Sequence, residues 1–186
     1  MKRLLLGIVC ALFFALPAHA NGNYIEGTAA HSSSNDLDHG SSGYSMASGY
    51  LIGLAIGGVM ANQVSIEGEV SYSTRDYEHA GSSLVAMAVM ANLFYNFPIA
   101  NSVNGYLGLG AGPTRVEFDG GGSYSSWSDE QWVLGYQFMI GLTYGMANGV
   151  TLFSEYRYQA AQDADLAGAD VEYNSHNLGG GVRVGF

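Results

Sequence analysis

Between Gln131 and Gly145 the chain reads QWVLGYQFMIGLTYG, and its residues divide by parity. Trp132, Leu134, Tyr136, Phe138, Ile140, Leu142 and Tyr144 fall on one side. Gln131, Val133, Gly135, Gln137, Met139, Gly141 and Thr143 fall on the other. A period of two belongs to an extended strand, whose successive side chains point to opposite faces. The same alternation runs through VSIEGEVSY, where Val64, Ile66, Gly68, Val70 and Tyr72 oppose Ser65, Glu67, Glu69 and Ser71. In SGYLIGLAIGG, Tyr50, Ile52, Leu54 and Ile56 oppose Gly49, Leu51, Gly53, Ala55 and Gly57. No stretch carries a convincing helical period.

Eight such segments are expected, at about 23–32, 45–58, 64–75, 83–97, 105–118, 130–144, 150–160 and 171–186. Their connections alternate in length. Short ones fall near Met60–Gln63, Pro98–Asn104 and Gly145–Gly149; longer polar ones fall at Ser33–Tyr44, Asp76–Ser82, Asp119–Asp129 and Ala161–Asp170. An even strand count with alternating short and long turns predicts an all-β, eight-stranded antiparallel up-and-down barrel. The interior of so small a barrel cannot hold seven large side chains from one strand plus matching sets from its neighbours. The Gly, Ala, Ser, Glu and Gln face does fit a crowded lumen. The large apolar face must then look outward, which only lipid tolerates, so a transmembrane barrel is expected rather than a secreted lipocalin-like one. Tyr50, Tyr72, Tyr106, Trp132, Tyr144 and Tyr158, near strand ends, are expected in interfacial girdles.

The N-terminus agrees with export. MKRLLLGIVCALFFALPAHA has a basic start, an apolar run from Leu4 to Leu16, and a small-x-small close at Ala18-His19-Ala20. That is the layout of a signal peptide cleaved after Ala20, and its run is short of the roughly 20 residues a membrane helix needs. Residues 1–20 are therefore read as signal peptide and 21–186 as one barrel domain. Beyond residue 20 there is no cysteine, which excludes disulfides, thiol catalysis and thiolate zinc sites. Four arginines and no lysine there stand against 16 Asp and Glu, leaving a formal charge of −12. Nucleic acid, whose binding needs Lys and Arg at phosphates, is not an expected partner.

The last segment, HNLGGGVRVGF, places Leu178, Gly180, Val182, Val184 and Phe186 on the lipid face and Asn177, Gly179, Gly181, Arg183 and Gly185 in the lumen. Its glycines suit tight packing where the last strand closes on the first. Apolar residues at every second place ending in an aromatic, Leu178, Val182, Val184 and Phe186, look like the signal by which barrel-assembly machinery recognises its clients.

YLGLGAG (106–112), MANLFYNF (90–97), SEYRY (154–158) and this glycine-rich end together resemble the opacity-protein and porin-like family of eight-stranded outer-membrane barrels, related to the OmpA transmembrane domain. The resemblance covers essentially all of the chain after residue 20. It implies an integral, non-catalytic protein of the bacterial outer membrane whose acidic surface loops serve envelope structure or surface and host interaction, as in adhesins and antigens. Outer-membrane lipid, lipopolysaccharide and a host or surface ligand are the partners it implies. One departure from full OmpA proteins is expected: no room remains for a peptidoglycan-binding domain. A small porin or solute transporter is the alternative, and a lipid A-modifying enzyme a remote one.

Glu67, Glu69, Glu155, Arg157 and Arg183 share lumen parity. Buried charges are costly unless paired, so a structural ion-pair network is expected, with a proton or ion pathway as its rival. No cofactor or metal is expected. GLGAGP and GGGVRVG lack the helix that a nucleotide loop requires behind its glycines. In DADLAGAD (163–170), Ala167 and Asn174 stand where a calcium loop needs ligands, so a solvated acidic loop is the ordinary reading and divalent bridging to lipopolysaccharide phosphates the alternative. Ser175 and His176 are adjacent, which on a strand sends them to opposite faces. His31, His39 and His79 lie in or beside outer loops.

Overall fold

The computed structural model describes residues 22–33, 48–60, 63–77, 82–120, 127–162, 164–166, 169–171 and 173–186. The expected signal peptide and His39 and His79 lie outside these residues. The strands are β1 (Asn23–Ser33), β2 (Ser48–Val59), β3 (Val64–Tyr77), β4 (Ser82–Ala100), β5 (Val103–Gly120), β6 (Trp127–Gly145), β7 (Val150–Ala161), β8 (Ala164–Leu166), β9 (Ala169–Val171) and β10 (Asn174–Gly185). Strands β1 to β7 and β10 form a closed antiparallel barrel in which each strand pairs with its neighbours in sequence and β10 closes on β1. The closing register runs from Tyr24 opposite Gly185 to Ser33 opposite His176. Closure leaves no sheet edge, so the backbone groups are satisfied within the wall, the condition for crossing hydrocarbon.

The eight expected segments are the eight barrel strands, with shifted ends. β4 continues through Pro98 to Ala100, so the connection expected over Pro98–Asn104 shrinks to Asn101 and Ser102. Pro98 sits beside a register shift, an irregular position of the kind where a residue without an N–H is tolerated. β8 and β9 make a small hairpin inside the stretch expected to be a plain loop, and β10 starts at Asn174 rather than 171. β6 reaches back to Trp127, through polar residues whose pattern carries no alternation of hydrophobicity.

The two faces follow the parity of the residues. On β6 the residues Trp132 to Tyr144 of even number are 41–53% exposed on the outside, whereas Gln137, Met139 and Thr143 are at most 5% exposed inside. Ile52, Leu54, Leu107, Leu109, Leu152, Leu178 and Val182 continue the outer apolar surface on β2, β5, β7 and β10. At the seam, a Cβ added to Gly179 would collide with the Ala29 carbonyl, and one added to Gly181 with the Gly27 carbonyl. The glycines therefore permit the close approach of β10 to β1.

The short connections and both described chain ends share one rim. There the Met60 N–H donates to the Val64 carbonyl at 2.7 Å, and the Phe186 N–H to the Asn23 carbonyl at 2.9 Å. At the β6–β7 turn, Asn148 (φ 63°) and Gly149 (φ 75°) take left-handed conformations that these two residue types accept at low cost.

Candidate functional site

The lumen is stratified. Toward the long-connection rim, Leu84, Ala86, Val116, Ala161 and Tyr173 form a buried apolar cluster. Toward the short-turn rim, Phe94, Tyr106 and Met139 form a second. Between and beside them lies a polar layer built by β1, β3, β4, β6, β7 and β10. Small residues elsewhere on the inner face leave room for it.

Arg157, 2% exposed, is the hub of this layer. Its Nη1 donates to Glu69 Oε1 and its Nε to Glu155 Oε1 at 2.8 Å. Glu69 Oε2 also accepts from Asn92 Nδ2 (2.9 Å) and Gln137 Nε2 (3.0 Å). Gln137 in turn donates to Asn92 Oδ1 at 2.8 Å and accepts from Gln159 Nε2 at 2.8 Å. Tyr106 Oη donates to Glu155 Oε2 at 2.8 Å. A second centre lies nearer the short-turn rim. Arg183 donates to Glu26 Oε2 from Nη2 (2.7 Å) and Nε (2.9 Å), and its guanidinium sits 4.1 Å from the Tyr24 ring centroid. Glu67 is held by neutral donors, Tyr24 Oη at 3.2 Å and Asn92 Nδ2 at 3.1 Å.

All five charged residues singled out by parity thus line the lumen, but not as one ion-paired set. Arg157 joins Glu69 and Glu155, Arg183 turns to Glu26, and Glu67 makes no ion pair among the described residues. Glu26 is not among those five, and the neutral amides Asn92, Gln137 and Gln159 escape reasoning from charge. Their signal is parity alone, since Glu26 alternates with outward Ile25 and the amides sit opposite apolar residues on β4, β6 and β7.

Tyr106 corrects an expectation. Placed in the interfacial girdle by its position near a strand end, it is 2% exposed inside the barrel. Outward Leu107 and Leu109 fix its parity, and Glu155 satisfies its hydroxyl. Tyr50, Trp132 and Tyr144 do point outward. Ser175 is buried while half-buried His176 accepts or donates at 2.7 Å with Tyr156 Oη, so the two residues face opposite sides. Among the described residues no three His, Cys, Asp or Glu side chains could hold a metal ion together. The side chains of 163–172 lie outside the described set, and with them the acidic segment DADLAGAD.

Leu178, Val182, Val184 and Phe186 project outward, 68%, 44%, 40% and 72% exposed. If this stripe is read during assembly, deleting Phe186 lowers the amount inserted in the outer membrane while refolding from urea into detergent changes little. The comparison is quantitative immunoblotting of membrane fractions against detergent refolding yield. Equal losses in both would reduce Phe186 to a structural residue, and no loss in either would remove it from any role.

Residues 6–186 match the family model described as "Outer membrane protein beta-barrel domain". Among solved structures, the chain is similar to Neisserial surface protein A, at TM-score 0.66 and 24% identity over 88% of this chain and 97% of that one. It is also similar to the attachment invasion locus protein of Yersinia pestis (TM-score 0.52, 20% identity, 89% and 99% covered) and to outer membrane protein OprG from Pseudomonas aeruginosa (TM-score 0.52, 16% identity, 92% and 99% covered). These likenesses establish a shared fold. No curated protein sequence matches the chain.

Proposed function

The chain belongs to the outer-membrane protein β-barrel family, and from that premise we propose a non-catalytic surface protein whose loops, not its lumen, meet its partners. The observation that carries this reading is the filled interior. Glu67, Glu69, Gln137, Met139 and Val116 are each no more than 2% exposed, and buried apolar clusters lie on either side of the polar layer. A barrel of eight strands filled this way supports contact at its ends better than passage through it.

On this proposal the chain is exported, cleaved near Ala20, recognised by the barrel-assembly machinery, and seated among outer-membrane lipid and lipopolysaccharide. Its acidic loops then contact a host or surface ligand. Two structural neighbours bear names that speak of a surface protein and of attachment and invasion, which supports an adhesin- or antigen-like role here. The test pairs two measurements on the same preparation. Protease applied to whole cells should cut the loops while leaving the barrel in the membrane fraction, and the purified protein in planar bilayers should give no steady conductance. Reproducible single-channel steps would favour the small-porin alternative.

A further inference from the structure

Arg75 stands at the end of β3 nearest the long connections, with its side chain in the lumen and 3% exposed. Two contacts fix its guanidinium. Nη1 donates to the Asn174 carbonyl at 2.7 Å, and the guanidinium carbon lies 4.9 Å from the centroid of the Tyr173 ring. Tyr173 is itself buried, with its hydroxyl 3.1 Å from Ser73 Oγ. The remaining nitrogens, Nε and Nη2, have no hydrogen-bond partner among the described residues.

The three other arginines of the barrel behave differently. Arg115 meets Glu117 and Glu130, Arg157 meets Glu69 and Glu155, and Arg183 meets Glu26. Arg75 alone among the described arginines has no described carboxylate within ion-pair distance. A buried guanidinium with two unpartnered nitrogens is costly unless an anion offsets its lost hydration. Nε–H and one Nη2–H leave the same edge of the guanidinium in parallel. That edge matches two oxygens of one carboxylate, phosphate or sulfate group.

We propose that Arg75, held by Tyr173 and Asn174, is an oxyanion-binding site at the long-connection mouth of the lumen, taking the carboxylate, phosphate or sulfate group of a soluble molecule. The wall outside it is closed. Arg75 pairs with Gly49 on β2 and with Leu84 on β4, so a lipid phosphate in the surrounding leaflet has no path through the sheet. The site rests on the barrel geometry and is independent of whether the loops are adhesive.

Arginine side-chain NMR tests it directly, because residues 21–186 contain only Arg75, Arg115, Arg157 and Arg183. The protein, labelled with 15N-arginine and folded in detergent free of lipopolysaccharide, is titrated with phosphate, sulfate and acetate against chloride at constant ionic strength. The Nε–H signal of Arg75, identified by its proximity to the Tyr173 ring, should shift saturably while the other three stay still. In Arg75→Lys, which keeps the charge and loses the fork, the remaining signals should show no saturable response. Folding of that variant is checked by its heat-dependent mobility in SDS gels, and the wild-type titration is decisive without it. No saturable shift, or equal shifts at Arg115, would overturn the site. A second arm uses nanodiscs with and without lipopolysaccharide. If glycolipid alone shifts the Arg75 signal before phosphate is added, the soluble source is wrong.

Discussion

Arg157→Met lowers the unfolding free energy by about 3–5 kcal/mol, measured by urea titration of the protein in detergent or lipid vesicles. Methionine keeps the unbranched apolar stem, so the loss comes mainly from the missing guanidinium charge and its hydrogen bonds. Removing the guanidinium leaves Glu69 and Glu155, 1% and 5% exposed, without their cation. Asn92, Gln137 and Tyr106 still donate to these carboxylates, but neutral donors do not supply the missing charge. Adding Glu69→Gln and Glu155→Gln to Arg157→Met should recover much of the loss, since a neutral layer needs no counter-ion. A cost below about 1 kcal/mol for the single variant, the range of exposed pairs, would mean that water reaches this layer.

Ile140→Arg, on the opposite face of the wall, costs about 2–4 kcal/mol if the residue lies near the bilayer midplane. Ile140 is 46% exposed outward, in the middle of an unbroken apolar row on β6. Tyr144→Arg on the same row lies close to the short-turn rim, where the cost falls to about 0–1 kcal/mol. Equal costs at the two sites would contradict the depth assignment. Gln137→Ala is not the cheap lumen control that its parity suggests. Its amide joins Glu69, Asn92 and Gln159, so its loss removes a hydrogen bond from each of three buried partners, at about 1–3 kcal/mol.

The barrel is legible in the sequence because alternation is a local signal that repeats. Each strand announces its two faces without knowledge of its neighbours, and the direction of the apolar face follows from how little a small lumen can hold. Strand ends are less legible, as at Trp127 and Ala100, because the outermost parts of β6 and β4 carry polar residues or a proline. Pairing inside the lumen is the least legible. Arg183 and Glu26 are 157 residues apart and meet only because β10 closes on β1. Tyr106 is misplaced when nearness to a strand end is weighed above parity, although Leu107 and Leu109 already fix its face. Arg75 shares the parity of Glu67, Glu69, Ser71 and Ser73, yet a charge at a strand end reads as solvated until burial is known.

The claim on which everything else depends is that the apolar face meets lipid and the polar face fills the lumen. Residues 21–186 contain no cysteine, so single cysteines can be placed at each position from Tyr136 to Tyr144 and spin-labelled in lipid bilayers. Collision with dissolved oxygen, which concentrates in hydrocarbon, should be high at 136, 138, 140, 142 and 144 and low at the residues between them. Collision with a polar nickel reagent should be low at both sets around 140. A flat profile along β6, or oxygen access at the odd positions with nickel access at the even ones, would contradict the inside-out barrel.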